Sequence, residues 1–164
     1  MKYKTFLLVL TVLITVSNLE AQELSNIKVK TILNKNVSLK TLYSKGPVLI
    51  TFWALWCEPC KEEMKHLTKI YEKYKGKGFS IFSFNEDSPK SVSKVRAYIA
   101  SHRIKFDVTL DPNNQFLQLF NGQSIPYAIL INTKGKIEYK QIGYLPGDEI
   151  KLEKEIKKHL DNND

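Results

Sequence analysis

The feature that most limits the possible folds is a seven-residue apolar run followed closely by two cysteines. Residues 47–53 read PVLITFW. Near-continuous apolar runs of this length are typical of strands covered on both faces, inside a sheet with helices packed on each side. Cys57 and Cys60 are the only cysteines among 164 residues, and a helix-like pattern covers 57–75. The sequence therefore predicts a buried strand that leads directly to a Cys-x-x-Cys pair at a helix start.

The rest of the chain alternates between strand-like and helix-like segments. They comprise, in order, a hairpin around 34–36, a strand at 79–84, a helix capped by Ser88, a strand at 106–110, a short helix at 115–120, a hairpin of 127–131 with 137–144, and a helix capped by Asp148. This order predicts an α/β fold, with a central mixed sheet flanked by helices. We expect an N-terminal hairpin and a helix-strand insertion between 88 and 110 as additions to that sheet.

The N-terminal segment has the composition of a secretory signal. Two lysines precede an eleven-residue apolar run at 6–16, which is followed by polar residues and small ones. We interpret residues 1–21 as a signal peptide cleaved after Ala21 and residues 22–164 as one mature domain. Cleavage after Ser17, an uncleaved membrane anchor and a buried N-terminal strand are alternatives, although the run is shorter than the ~20 residues of a spanning helix.

The charge and the histidines exclude several classes of function. The formal net charge is +8, but the lysines are spread over all predicted helices without a basic aromatic cluster, so we predict no nucleic-acid partner. A solvated surface, with peripheral association to an anionic membrane as an option, fits this spread better. Three histidines, His66, His102 and His159, lie far apart on helical segments, so we predict no metal site and no cofactor.

The spacing of the two cysteines favours disulfide exchange over a structural disulfide. Closing so small a loop removes only about 2 kcal/mol of chain entropy from the unfolded state. If the helix begins at Cys57, its sulfur lies beside unsatisfied N–H groups and the positive end of the helix dipole, which stabilise a thiolate. We therefore predict that Cys57 attacks a disulfide and that Cys60, one turn further into the helix, resolves the mixed disulfide.

Glu63 is the carboxylate that the pattern places next to this chemistry. It shares three-and-four spacing with Cys60 and with the apolar residues Met64, Leu67, Ile70, Tyr71 and Tyr74. A carboxyl on a buried stripe has a raised pKa and can take up the proton of Cys60. The alternative is a glutamate at the helix boundary that reaches water.

Two tryptophans and a proline complete the candidate site. We predict that Trp56 shields the sulfurs and contacts substrates, whereas Trp53 packs in the core. Pro126 begins a strand after Ile125, a position at which a proline cannot serve a central ladder unless the backbone is unusual. An ordinary trans proline at a sheet edge is the alternative.

The segment TFWALWCEPCKEE, residues 51–63, resembles the active-site segment of thioredoxin-fold proteins. Within them it is most similar to the TlpA/ResA-like group of exported thiol-disulfide oxidoreductases. The similarity extends to DPNNQFLQLF, to SIPYAILINTKGKI and to Gly143, and covers essentially all of the predicted mature chain. The resemblance therefore implies a thioredoxin fold with an N-terminal hairpin and a helix-strand insertion.

The resemblance also implies roles for individual residues. It implies a cis Ile125-Pro126 bond against the disulfide, with the backbone of Ile125 pairing with a substrate strand. Thioredoxin has an acid six residues before its first cysteine, where this chain has Thr51. In the resembled group, a glutamate matching Glu63 takes over. That group usually has a helix-kinking proline where this chain has Lys65, so a straighter helix is expected.

The function that follows is an exported reductant of protein disulfides in the periplasm or cell envelope. The resemblance implies re-reduction by a membrane-embedded thiol reductant, with cytochrome c maturation among the client pathways. The alternatives are a binding or assembly module without turnover, and a disulfide oxidase. Peroxidases of this superfamily have a threonine three residues before the reactive cysteine, where this chain has Ala54, so peroxide reduction is disfavoured.

Overall fold

The computed structural model describes residues 27–161. Its helices and strands, in chain order, are β1 (Lys28–Lys30), β2 (Asn36–Ser38), α1 (Leu39–Tyr43), β3 (Val48–Trp53), α2 (Glu58–Tyr74), β4 (Ser80–Asn85), α3 (Val92–Ser101), β5 (Asp107–Leu110), α4 (Gln115–Leu119), β6 (Tyr127–Ile131), β7 (Ile137–Ile142) and α5 (Asp148–Asp161). Single 3-10 turns at Lys75–Lys77 and Pro89–Ser91 lead into β4 and α3.

Five strands form a mixed sheet in the order β5-β4-β3-β6-β7. β3 is parallel to β4 and β4 is parallel to β5, whereas β6 is antiparallel to both β3 and β7. β1 and β2 form a separate antiparallel hairpin. This architecture confirms the predicted mixed sheet, the N-terminal hairpin and the helix-strand insertion.

β3 lies at the centre of the sheet and all six of its residues are buried. Because successive side chains of a strand point to opposite faces, this strand contributes to two separate cores. Val48, Ile50 and Phe52 pack into the cluster on one face, whereas Leu49 and Trp53 pack into the cluster that α2 covers. The buried position of Trp53 confirms its predicted role in the core.

The helix that follows the cysteines is amphipathic, as the spacing predicts. Its buried residues are Cys60, Glu63, Met64, Leu67, Ile70 and Tyr74. The helix runs without interruption from Glu58 to Tyr74, and Lys65, at the position of the missing proline, pairs with Glu62 at 2.6 Å. Burial of the apolar stripe against the sheet holds the helix start at the end of β3.

Some boundaries differ from the sequence-based expectations. Leu39 begins a five-residue helix that the sequence analysis did not include, and Leu39 and Tyr43, one turn apart, are both buried in the core. Ser88 accepts the amide of Lys90 and caps a 3-10 turn, and the α-helix proper starts at Val92.

The predicted signal peptide at 1–21 lies outside the described residues. Within residues 27–161, no helix combines the length and the apolar character needed to cross a bilayer.

Candidate active site

The two cysteines lie where the central strand passes into the helix. Cys57 has extended backbone angles and is the N-cap of α2, so the helix proper starts one residue later than Cys57 itself. Its sulfur accepts the backbone N–H of Cys60 at 3.3 Å, and its own N–H donates to the carbonyl of Ala54 at 3.2 Å. A disulfide joins the two residues. Pro59 occupies the first turn, where its missing N–H has no helical partner to lose.

The two sulfurs differ in their access to solvent. Cys57 is 6% exposed and Cys60 is fully buried. Cys60 belongs to the same apolar cluster as Met64 and Leu67. An approaching molecule therefore reaches Cys57 first.

Glu63 is buried on the same face of α2, one turn beyond Cys60. It is only 2% exposed, and its carboxylate accepts the hydroxyl of Thr51 at 3.3 Å and the side-chain amide of Gln141 at 3.4 Å. Loss of hydration on burial raises the pKa of Glu63 to about 8, against the lowering effect of the Thr51 hydrogen bond. The expected burial of this carboxyl is confirmed, and the raised pKa follows from that burial.

Gln141 connects Glu63 to the loop that faces the disulfide end of the sheet. Its side-chain nitrogen also donates to the carbonyl of Gly143 at 3.2 Å, and its oxygen accepts the hydroxyl of Tyr139 at 3.1 Å. The amide of Gly143 in turn donates to the carbonyl of Pro126 at 2.8 Å. A continuous hydrogen-bonded path therefore joins Thr51, Glu63 and Pro126.

The Ile125-Pro126 peptide bond is cis, as expected. Ile125 is partly buried and touches both cores, and β6 begins with Tyr127 immediately after the proline. In the β3–β6 pair, Phe52 lies opposite Tyr127. Pro126 therefore lies at the end of the sheet at which β3 ends and the chain continues to the cysteines.

The two tryptophans have opposite environments. Trp56 is 67% exposed beside Cys57, whereas Trp53 is completely buried and its ring packs against Tyr98 at a centroid distance of 5.3 Å. The exposure of Trp56 fits the predicted contact surface, and its indole adds little to the core.

Asp87 is a residue of the site that the sequence analysis missed. One of its carboxylate oxygens accepts the backbone N–H of Leu55 at 2.7 Å and the side-chain amide of Asn85 at 2.9 Å. The carboxylate thus ties the loop before Cys57 to the end of β4. An Asn-x-Asp pattern directly after a buried strand was the available signal, because short polar side chains there commonly bond neighbouring loops.

Glu86, next to Asp87, is a second carboxyl at this end of the sheet. Its burial, together with the negative charges of Asp111 and Asp87, raises its pKa to about 7. Its backbone amide donates to the carbonyl of Trp53 at 2.9 Å.

Within residues 27–161, no group of three or more His, Cys, Asp and Glu side chains is arranged to hold a metal ion.

This fold, with a disulfide at the N-terminus of the helix that follows the central strand, defines a thiol-disulfide oxidoreductase of the thioredoxin superfamily. The sequence comparisons agree and specify the family. The chain belongs to the AhpC/TSA family, whose model matches residues 21–140.

Curated relatives carry the name thiol-disulfide oxidoreductase ResA. The protein from Bacillus cereus (strain ZK / E33L) is 32% identical over 122 residues, which cover 74% of this chain and 69% of the relative. The protein from Bacillus thuringiensis subsp. konkukian (strain 97-27) is 30% identical over 139 residues, covering 84% and 76%. The TlpA/ResA-like resemblance is therefore confirmed.

Solved structures share the fold. A protein from Chlorobium tepidum, provisionally named thiol:disulfide interchange protein DsbE, is 28% identical with a TM-score of 0.74, over 82% of this chain and 92% of that chain. StoA from Bacillus subtilis, at 24% identity and a TM-score of 0.63, covers 78% of this chain and 95% of its own, and shows the fold alone. The predicted thioredoxin fold is confirmed.

Proposed function

We propose that this thiol-disulfide oxidoreductase is an exported reductant of protein disulfides, in which Cys57 attacks, Cys60 resolves and Glu63 takes up the proton. The observation that carries the proposal is the position of the Cys57 sulfur at the N-cap of α2. There it accepts a backbone N–H and lies at the positive end of a 17-residue helix. Both features stabilise a thiolate, which is the form that attacks disulfides.

The reaction proceeds by two successive exchanges. The Cys57 thiolate attacks one sulfur of the client disulfide, the client S–S bond breaks, and the first client thiolate leaves and is protonated by solvent. The Cys60 thiol then gives its proton to the ionised form of Glu63, which is the minor form at neutral pH, and attacks the Cys57 sulfur. This step forms the protein's own disulfide and releases the second client thiolate, so two electrons pass from the protein to the client.

Glu63 suits the proton transfer in the second step. Its pKa of about 8 lies close to the ordinary value of about 8.5 for a cysteine thiol, so the proton moves between groups of similar affinity. Glu63 also lies on the buried stripe that includes Cys60, and it is shielded from bulk water. A carboxyl with an ordinary pKa is a much weaker base toward a thiol.

The client binds, in this proposal, across the surface formed by Trp56, Ile125 and Pro126. Trp56 offers an exposed aromatic face beside the attacking sulfur. The backbone of Ile125, directly before the cis bond, pairs with an extended client segment. Such pairing holds the client sulfur in line with Cys57 without demanding a specific sequence.

The reducing direction rests on the charge at the helix start. Glu58 is the first residue of α2, and its carboxylate, which also pairs with Lys61, disfavours the Cys57 thiolate relative to a neutral residue there. A less stabilised thiolate makes the dithiol a better reductant, nearer the thioredoxin potential of about −270 mV than the −120 mV of strong oxidants.

Residues 1–21 direct export in this proposal, and they either leave as a signal peptide or remain as an anchor. The domain of residues 22–164 then works in the periplasm or cell envelope. A dithiol in an oxidising compartment needs a continuing supply of electrons, which we assign to a membrane-embedded thiol reductant. Apocytochrome c, whose cysteines must be reduced before haem attachment, is the client class that we place first.

Insulin reduction tests the class and direction of the activity. We expect the dithiol form to precipitate insulin, the Cys57→Ser variant to be inactive, and a glutathione titration to give a reducing potential. A potential near −120 mV assigns the chain to the oxidases, and unchanged insulin stability with the dithiol form assigns it to the binding modules.

Trapping and fractionation test the client and the export. The Cys60→Ser variant retains Cys57 as a mixed disulfide, so the proteins trapped in the cell identify the client class. Mass measurement of the protein recovered from the envelope distinguishes cleavage after Ala21 from cleavage after Ser17 and from a retained anchor. Recovery of the intact chain from the cytosol alone contradicts export.

A further inference from the structure

Exposed lysines collect at the end of the sheet opposite the disulfide. β3 runs from Val48 toward the cysteines, and the pairings of β3 with β4 and β6 place three connections at its start. These are the loop before β3, the turn before β4 and the turn after β6. They carry five exposed lysines, which we call the basic end: Lys45, Lys75, Lys77, Lys134 and Lys136.

Close backbone contacts hold these three connections together. A Cβ atom at Gly46 would lie 2.4 Å from the carbonyl oxygen of Gly78, so the first two connections touch at distances that only glycine permits. Gly135, with a φ of +79°, places the third connection against the ring of the buried Tyr43, within 3.3 Å of a Cβ position. The basic end is therefore one continuous surface.

Few acidic side chains neutralise this surface. Lys75 pairs with Glu72 at 2.8 Å and Lys136 pairs with Glu138 at 3.4 Å. In the part of the chain that the structure describes, three lysines of the basic end form no ion pair: Lys45, Lys77 and Lys134. A groove between α2 and α5 is lined by Lys73, Lys154 and Lys157 together with Glu153, which pairs with Lys73 at 2.6 Å.

The basic end is too distant to serve the chemistry of the sulfurs. Six residues of β3 separate it from the active-site loop, a length of about 20 Å at ~3.3 Å per residue. The Debye length at physiological ionic strength is about 8 Å, so these exposed charges are screened before they reach Cys57. These lysines therefore do not tune the disulfide.

The opposite end of the molecule carries charges of both signs. Carboxylates begin α2 and α5 and follow β4 and β5, all at the disulfide end: Glu58, Glu86, Asp87, Asp111, Asp148 and Glu149. Lysines of the first helical turns pair with two of them, Glu58 and Asp148. Asp87 and Asp111 are buried, burial raises the pKa of Glu86 to about 7, and Lys90 and Lys94 are exposed at the same end. The basic end is therefore the more positive of the two ends of β3.

We propose that the basic end docks on an anionic phospholipid bilayer and that the disulfide consequently faces away from the membrane. A flat, negatively charged surface attracts the basic end more strongly than the mixed charges of the disulfide end, so one orientation is favoured. Single-stranded nucleic acid fits less well, because it needs exposed aromatic rings for stacking. Three aromatic residues in or beside these turns, Tyr43, Tyr74 and Phe79, are buried.

Vesicle sedimentation of the full chain tests the docking. We compare Lys45→Gln/Lys77→Gln/Lys134→Gln with a control of equal charge, Lys65→Gln/Lys90→Gln/Lys94→Gln, on phosphatidylcholine vesicles with and without phosphatidylglycerol. Every protein retains residues 1–26, so differences between them report the lysines. Each lysine near an anionic surface strengthens binding about fivefold, so the first variant should bind phosphatidylglycerol vesicles about a hundredfold more weakly, and the control should change little.

Three results would overturn the docking. The first is an equal loss of vesicle binding in the two variants, which indicates a general charge effect. The second is vesicle binding of the wild type that does not depend on phosphatidylglycerol. The third is a loss of binding to single-stranded oligonucleotide without a loss of vesicle binding, which assigns the lysines to nucleic acid. Insulin reduction should be unchanged in both variants. This readout separates a failure of docking from a failure of the proposed reductase activity.

Tryptophan fluorescence tests the orientation. Trp56 marks the disulfide end and is exposed, whereas Trp53 is buried and serves as the internal reference. On phosphatidylglycerol vesicles that contain brominated lipid, we expect Trp56 to keep its emission and to stay open to quenching by acrylamide from water. Quenching of Trp56 by the brominated lipid means that the disulfide end faces the bilayer, and it refutes the orientation.

Discussion

Replacing Glu63 with glutamine should reverse the order of stability between wild type and variant as the pH rises. The pKa of Glu63 is raised by burial from its ordinary 4.5 to about 8 in the folded protein. Between these values, the folded state holds a proton that the unfolded state has released. The contribution of Glu63 to the stability of the wild type is therefore fully present below pH 4.5 and is lost as the pH rises toward 8.

The magnitude follows from the size of the shift. Each unit of pKa difference corresponds to about 1.4 kcal/mol, so the wild type loses about 3 kcal/mol by pH 7 and about 5 kcal/mol above pH 8. The side chain introduced by Glu63→Gln carries no charge at any pH, but its single oxygen cannot replace the two carboxylate oxygens that accept from Thr51 and Gln141. One lost hydrogen bond costs about 1 kcal/mol.

Urea unfolding of the oxidised proteins at a series of pH values measures the effect. Below pH 4.5, Glu63→Gln should be about 1 kcal/mol less stable than the wild type, and near pH 9 it should be several kcal/mol more stable. Glu62→Gln is the control, because Glu62 is exposed on the same helix and its pKa is lowered by Lys65. Parallel stability curves for Glu63→Gln and the wild type would refute the assignment of a buried, neutral carboxyl.

Three further substitutions probe the site and its support. Asp87→Ala should lower the free energy of unfolding by about 1–3 kcal/mol, since the Leu55 amide loses its acceptor; Asp87→Asn keeps an acceptor and should cost less in the same urea titration. Gly46→Ala should lower the free energy of unfolding by about 1–3 kcal/mol or more, because the added Cβ would lie 2.4 Å from the carbonyl oxygen of Gly78. Gly76→Ala is the control, since a Cβ there has open space, and it should leave the thermal unfolding temperature unchanged. Trp56→Ala should leave the unfolding midpoint almost unchanged but slow insulin reduction; a normal rate would remove Trp56 from the client surface.

Helical and strand periodicity predicted the parts of the site that lie on regular elements. The six buried residues of β3 and the stripe of α2 follow from apolar patterns, and these patterns place Cys57 at a helix start and Glu63 on a buried face. Trp53 and Trp56 were separated for the same reason, because one ends the apolar run and the other follows it.

Contacts between distant segments were not accessible to this reasoning. Gln141 lies 78 residues from Glu63, and Asp87 lies 32 residues from Leu55, so neither hydrogen bond leaves a local pattern in the sequence. The cis bond before Pro126 was anticipated only through the family resemblance, since composition alone favours trans. The sheet register decides which polar side chains meet.

The hydrogen bonds around Glu63 determine which neighbouring group can accept a hydrogen bond from its protonated carboxyl. The carbonyl of Gly143 only accepts, so it fixes the Gln141 amide with its nitrogen toward Glu63, and that nitrogen only donates. Of the two neighbours, only the hydroxyl of Thr51 can reverse from donor to acceptor when the carboxyl becomes neutral. Rotation of a single hydroxyl on the rigid central strand therefore accompanies each protonation of Glu63, and the sheet itself has no need to move during turnover.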